Sequence, residues 1–245
     1  MLKGKRALVT GGGRDFGRAL SIWLAREGVH VDLCARKLAD ARETCAFIAA
    51  EGGSATAWEC DITHKESLSR FSKQLCDDGE AIDILLLSAA QWLDGELEDN
   101  NPAEIASTID SGLTGSILLT QALLPALRRS READIVSIVS ACGIPQFTDS
   151  IAHPAFFAAK HGLSGFTQNL AHRLAKENIR VTGLYPPDFQ VTGLDKPQIV
   201  DEKMGSRLLD ARSVWETIRF VLNQPRSCHI STLYFNGPTG EALAL

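Results

Sequence analysis

Long hydrophobic runs are missing from this 245-residue chain: no apolar stretch approaches the roughly 20 residues a membrane-spanning helix needs. Residues 1–6 lead straight into a strand-like run, so no signal peptide is expected. Basic clusters are equally scarce and the formal net charge is -5, which sets nucleic acid aside as a partner. The six cysteines form no CxxC pair, and Cys34 and Cys60 end apolar strand-like runs, so a zinc site has no spacing to support it. Reduced thiols in a cytoplasmic protein are the expectation. There is no low-complexity linker, and residues 1–245 read as a single domain. Tyrosine is also rare: only Tyr185 and Tyr234 are present.

What the chain does have is rhythm. Hydrophobic residues make up 44% and charged residues 22%, ordinary for a globular enzyme with a sizeable core. Short β-rich runs over 6–10, 30–34, 55–60, 82–88, 134–139, 179–185 and 230–235 alternate with helical patterns. Those cover 16–27, 38–51, 65–76, 113–129, 154–177 and 213–223. Apolar strands joined by longer helices require a parallel sheet covered on both faces. The expected class is therefore α/β, a doubly wound, Rossmann-like parallel sheet in one three-layer domain. Residues 186–212 break the rhythm and read as a mobile substrate loop.

Between the first strand and the first helix stands Thr10-Gly11-Gly12-Gly13-Arg14-Asp15-Phe16-Gly17. Glycines at such a turn let the backbone approach a pyrophosphate, and the helix N-terminus supplies free N–H groups and a positive dipole end. Further along, Ser140 closes a strand, and Phe156 and Lys160 stand one helical turn apart. Together these residues resemble the classical type of short-chain dehydrogenase/reductase over nearly the whole chain. The family pattern TGxxxGxG falls on Thr10, Gly11, Asp15 and Gly17, and the family's aspartate after the third strand falls on Asp61, before Ile62. Pro186 matches the proline after the sixth strand, and Asn236-Gly237 resembles the close of the C-terminal strand.

The departures from the family are specific. Asp15 replaces the middle glycine, and Leu87-Ser88-Ala89-Ala90 stands where the family has Asn-Asn-Ala-Gly. Gly112 takes the place of the asparagine that orders a relay water, and Pro187 follows Pro186 instead of glycine. Phe156 replaces the catalytic tyrosine of YxxxK, leaving a degenerate active site. Asp15 has two readings. As an N-cap or first-turn acid it stabilises the helix by roughly 0.3–1 kcal/mol; as a carboxylate beside a pyrophosphate it repels the ligand unless Arg14 or Arg18 screens it.

The resemblance implies a nicotinamide cofactor held by Gly11, Gly13, Arg14, Asp15, Phe16, Gly17, Arg36, Asp61, Ile62, Ala89, Lys160 and Pro186. At the end of the second strand Ala35 takes the place of the acid that would bind a free ribose, and Arg36 follows. A guanidinium there favours a 2′-phosphate, so NADP is expected over NAD, with a chain that binds neither as the open alternative. The resemblance also assigns Ser140 to the substrate oxygen and Lys160 to the ribose. Phe156 has no proton to give, and loss of a positioned acid typically costs ~10²–10⁴ in rate. Tyr185 at the C-terminal end of a strand, His153 in the loop before Phe156, and Cys142 just past Ser140 are the candidates to touch substrate. Two functions follow: an NADP-dependent oxidoreductase acting on an unidentified carbonyl or alcohol with an atypical site, or a dehydrogenase-like protein without redox activity that serves as a binding or regulatory protein or a non-redox catalyst. A homodimer or homotetramer is expected by resemblance, and from apolar surface on helices 113–129 and 154–177.

Overall fold

A computed structural model of the chain describes residues 2–191 and 208–236. Seven parallel strands form one sheet in the order β3-β2-β1-β4-β5-β6-β9. They are β1 (Arg6–Thr10), β2 (His30–Ala35), β3 (Ser54–Glu59), β4 (Ile84–Leu87), β5 (Asp134–Ile138), β6 (Arg180–Tyr185) and β9 (Thr232–Tyr234). Two short segments, β7 (Phe189–Gln190) and β8 (Leu209–Asp210), pair separately. The helices are α1 (Asp15–Arg26), α2 (Leu38–Ala50), α3 (Lys65–Cys76), α4 (Pro102–Ile109), α5 (Gly115–Arg129), α6 (Pro154–Leu174) and α7 (Ala211–Leu222).

Side chains alternate across the sheet, which explains why it is covered twice. In β1, Ala7 and Val9 join a core with α1, α2 and α7, in which Trp23 stacks on Trp215 at 6.0 Å. Leu8, between them, belongs to the opposite core with α3, α5 and α6. β5 repeats the arrangement, with Val136 and Ile138 facing one way and Ile135 the other. The doubly wound α/β fold read from the sequence is the fold observed.

After β3 the chain returns to lay β4 beside β1, so the strand order reverses between these two. Ligands of such sheets bind at that reversal, beyond the C-terminal strand ends. Thr10 ties it together: its Oγ1 accepts the N–H groups of Ser88 and Ala89, each at 3.0 Å, and donates to Leu86 O at 3.3 Å.

One expectation needs correction. The sequence reading begins a helix at Leu113, whereas α4 precedes it and a π-helical turn, Asp110–Thr114, joins α4 to α5. Of the mobile loop expected over 186–212, residues 192–207 lie outside the described residues; on either side of them β7 pairs β8. Ile117, Leu118 and Leu124 of α5 and Phe157, Phe166 and Leu170 of α6 are half-buried, so both helices keep some apolar surface in contact with water.

Candidate active site

Beyond the strand ends a cleft of about 690 Å³ runs from the glycine turn to Phe156. Its first wall is the turn itself. Gly11 has φ +71° and lies against Ala89. A Cβ on Gly17 would run into the carbonyl oxygen of Gly11, so only glycine lets α1 start this close to β1. Asp15 adopts φ +47°, the left-handed region in which glycine is unstrained and aspartate is tolerated. That backbone geometry is the physical reason for a glycine at this point of the pattern. Arg14, not Asp15, is the N-cap, and its side chain makes no capping hydrogen bond. Asp15 is thus a first-turn acid, with Arg14 Nε 3.5 Å from its carboxylate and both side chains largely exposed.

The next wall lies beyond β2 and β3. Arg36 and Lys37 are exposed and line the cleft. Asp61 Oδ1 accepts from Thr63 N at 3.0 Å and Thr63 Oγ1 at 2.7 Å, while His64 Nδ1 stands 3.3 Å from Oδ2. Partial burial raises the carboxyl, but the two Thr63 hydrogen bonds and the charges of His64 and Arg36 outweigh it and hold the pKa below the usual range. The basic edge of the cleft therefore acts electrostatically on Asp61.

At the far end β5 delivers Ser140. Its backbone, at φ +95° and ψ 155°, lies in a region that essentially only glycine occupies freely, at a cost of roughly 1–3 kcal/mol. The hydroxyl accepts from Cys142 N at 3.3 Å and caps a short 3₁₀ turn, Ala141–Gly143. From α6, Lys160 is only 4% exposed and donates from Nζ to Ile138 O at 3.0 Å. Burial pushes its ammonium down to about 8. One turn earlier Phe156 sets its ring 5.3 Å from Nζ, and Trp92 packs edge-on against that ring at 4.8 Å. A Cβ on Gly112 would stand 3.1 Å from Ala159 Cβ, so the turn where the family has asparagine is packed tightly against α6.

Every residue expected to hold a cofactor lines this one cleft, and so do Ser140 and Phe156. The three expected to touch substrate do not. Tyr185 turns its hydroxyl to Ser164 Oγ at 2.8 Å, inside the core against α6. His153 is fully buried as the N-cap of α6; its Nδ1 accepts from Ala155 N at 3.0 Å, so Nε2 carries the proton and faces Leu97 O at 3.4 Å. Cys142 packs with Ala152 and Phe156, and burial pushes its thiol up, away from a reactive thiolate. Trp92, Ile151 and Asp188 line the cleft instead. The only sequence signal for them was position: a residue just past the fourth strand, one just before the α6 cap, and one just past Pro186-Pro187.

Comparison with known proteins agrees with this geometry. The family model for short chain dehydrogenase matches residues 5–203, and the chain belongs to that family of oxidoreductases. It is 31% identical over 200 residues to a 3-dehydrosphinganine reductase of Arabidopsis thaliana, a match that covers 80% of this chain and 58% of that protein. An uncharacterized oxidoreductase of Staphylococcus aureus (strain N315) is 28% identical, over 95% of this chain and 97% of its own. A metagenomic short-chain oxidoreductase solved in complex with NADP superposes with a TM-score of 0.78 at 26% identity, over 95% of this chain and 96% of its own.

Proposed function

We propose that the protein binds NADP(H) in preference to NAD(H) and acts as an oxidoreductase on a carbonyl or alcohol, with a proton route that does not use Phe156. The observation that carries this reading is Lys160. A lysine buried in the cleft wall costs stability, and among the described residues its ammonium donates to Ile138 O alone, which leaves two N–H donors for a ligand. The residues present fit the cofactor. Gly11 and Gly17 give the backbone its close turn, Arg36 and Lys37 suit a 2′-phosphate, and Lys160 suits ribose hydroxyls. When bound, the nicotinamide supplies or takes up the hydride. Ser140 would orient the substrate oxygen.

Fluorescence titration with NADPH and NADH tests the reading. Tighter binding of NADPH is expected, and no binding of either at millimolar concentration would remove it. A second reading, a cofactor-binding protein without redox activity, is favoured by Phe156 itself. Its ring is buried beneath Trp92, and no other hydroxyl, imidazole or thiol proposed in its place reaches the cleft. Phe156→Tyr separates the two. If the wild type turns over carbonyls slowly, the variant should be faster by ~10²–10⁴; NADPH binding without turnover in both proteins favours the second reading. A homodimer or homotetramer in the cytoplasm is the setting the family relationship favours, and sedimentation equilibrium would test the assembly.

A further inference from the structure

We propose that the end of the cleft beyond Phe156 selects an uncharged, elongated apolar substrate and rejects carboxylates, with Trp92 and Ile151 as its specificity-determining residues. Only the reactive group of that substrate, a carbonyl or alcohol, rests on the oxidoreductase reading.

The lip is a built feature. The segment after β4 and the segment before α6 zip together: Gly95 N donates to Ile151 O at 3.1 Å and His153 N to Leu93 O at 2.9 Å, around an antiparallel bridge between Asp94 and Ala152. Asn100 Nδ2 closes the loop on Asp94 O at 2.7 Å. This rigid frame holds apolar side chains out in water. Of the five large hydrophobic side chains that are strongly exposed among the described residues, Trp92 (46%), Leu97 (64%) and Ile151 (68%) all stand on it. Trp92 and Ile151 also line the cleft, and Trp92 continues directly onto the Phe156 ring. Phe189 and Leu208 bring further apolar surface to the same cavity. Apolar groups fixed beside a cavity gain by covering an apolar ligand, at roughly 25 cal/mol per Å².

Among the described residues the charges on the lip and the segment paired with it are acidic. Asp94, Glu96, Glu98 and Asp99 are exposed on the lip, and Asp149 is exposed on the paired segment. Asp188 lines the cleft, where lost hydration and the charge of Asp149 raise its carboxyl above the ordinary range. Arg14, Arg36 and Lys37 line the opposite end, and Lys160 stands at the boundary with one of its three donors on Ile138 O and the Phe156 ring 5.3 Å from its Nζ. A ligand carboxylate carried past Phe156 to the lip would thus meet carboxylates.

Saturation-transfer NMR on the full chain without cofactor tests this with 2-butanone, 2-hexanone, 2-octanone and 2-decanone, and with 9-oxodecanoate at pH 8. Affinity should rise roughly twofold to fourfold per methylene. The keto acid should bind at least tenfold more weakly than 2-decanone. Ile151→Asp should weaken 2-decanone about tenfold, with Trp92→Ala as a second variant, while Phe220→Asp, at an exposed aromatic outside the cleft, should not. A flat chain-length series or equal binding of the keto acid would overturn the proposal. So would equal losses in Ile151→Asp and Phe220→Asp, which indicate surface adsorption, or a change in oligomeric state with no alkanone binding, which indicates a copy interface. A failed NADPH titration alongside a steep chain-length series would remove the oxidoreductase reading and leave this one standing; the reverse result would do the opposite.

Discussion

Asp15 and Lys160 pull on the cleft from its two ends, and magnitudes decide what each does. At φ +47° aspartate carries strain of about 1 kcal/mol that glycine would not. Glycine, however, loses a similar 0.4–1 kcal/mol through its freer unfolded chain, so Asp15→Gly should leave stability nearly unchanged. The exposed carboxylate matters more for binding, where removing one like charge near a phosphate is worth about 1 kcal/mol. Asp15→Gly should therefore tighten NADPH by roughly fivefold in the same fluorescence titration, and an unchanged affinity would show that Arg14 already screens the charge. For Lys160 the sign follows from burial. Its folded pKa of about 8 lies below the ordinary lysine value, so the folded chain binds fewer protons between pH 8 and about 10.5 and stability rises with pH across that window. Below pH 8 the full penalty applies. Lys160→Met should be more stable than wild type at pH 7 by about 1–3 kcal/mol in urea unfolding, with the gap closing toward pH 10. A gap that does not depend on pH would mean that packing, not charge, sets the cost.

At the scale of elements, what the sequence declared depended on periodicity. Strands and helices buried on a fixed face announced themselves through spacing, and the glycine turn through its place between β1 and α1. The eight-residue α4 is too short for a periodic signal, yet its cap was written plainly in Asn101-Pro102-Ala103-Glu104. Asn101 Oδ1 accepts from Ala103 N and Glu104 N, each at 3.0 Å, and Glu104 Oε2 accepts from Asn101 N at 3.1 Å. Asn101→Ala should cost about 1 kcal/mol, read as a lower thermal midpoint. Because α4 feeds the π-helical turn where Ser111 Oγ accepts from Gln91 N at 2.9 Å, the same change should loosen the neighbourhood of Trp92, seen as faster amide exchange at Gln91. Side-chain direction was less legible. Tyr185 stands at a strand end beside the cleft, but the alternation of β6 turns it to Ser164, and His153 is consumed in capping α6. The lip carrying Trp92 and Ile151 arises from tertiary pairing of two loops, for which sequence has no period.

Across the whole molecule, one ion network lies at the edge of the sheet opposite the cleft. Asp134 opens β5 and Arg180 opens β6, and their ion pair is buried, with Nε to Oδ1 at 2.7 Å. Arg226 adds a second guanidinium to the same carboxylate at 3.1 Å, and donates to the carbonyls of Ala133 and Asn178. Arg180 also reaches the carbonyls of Gln224 and Cys228, each at 3.0 Å, so the network fastens the segment leading into β9 to the sheet. A hydrophobic replacement of a whole buried pair is often neutral, but removing one partner strands the other charge. Asp134→Ala leaves two guanidiniums without their shared anion and should destabilise the fold by about 3–5 kcal/mol in urea unfolding. Since the cleft lies beyond the opposite strand ends, the folded fraction should keep its NADPH affinity within about twofold. A matching loss of affinity would mean that the two edges of the sheet are coupled, and that the cleft owes its shape to the C-terminal segment this network holds in place.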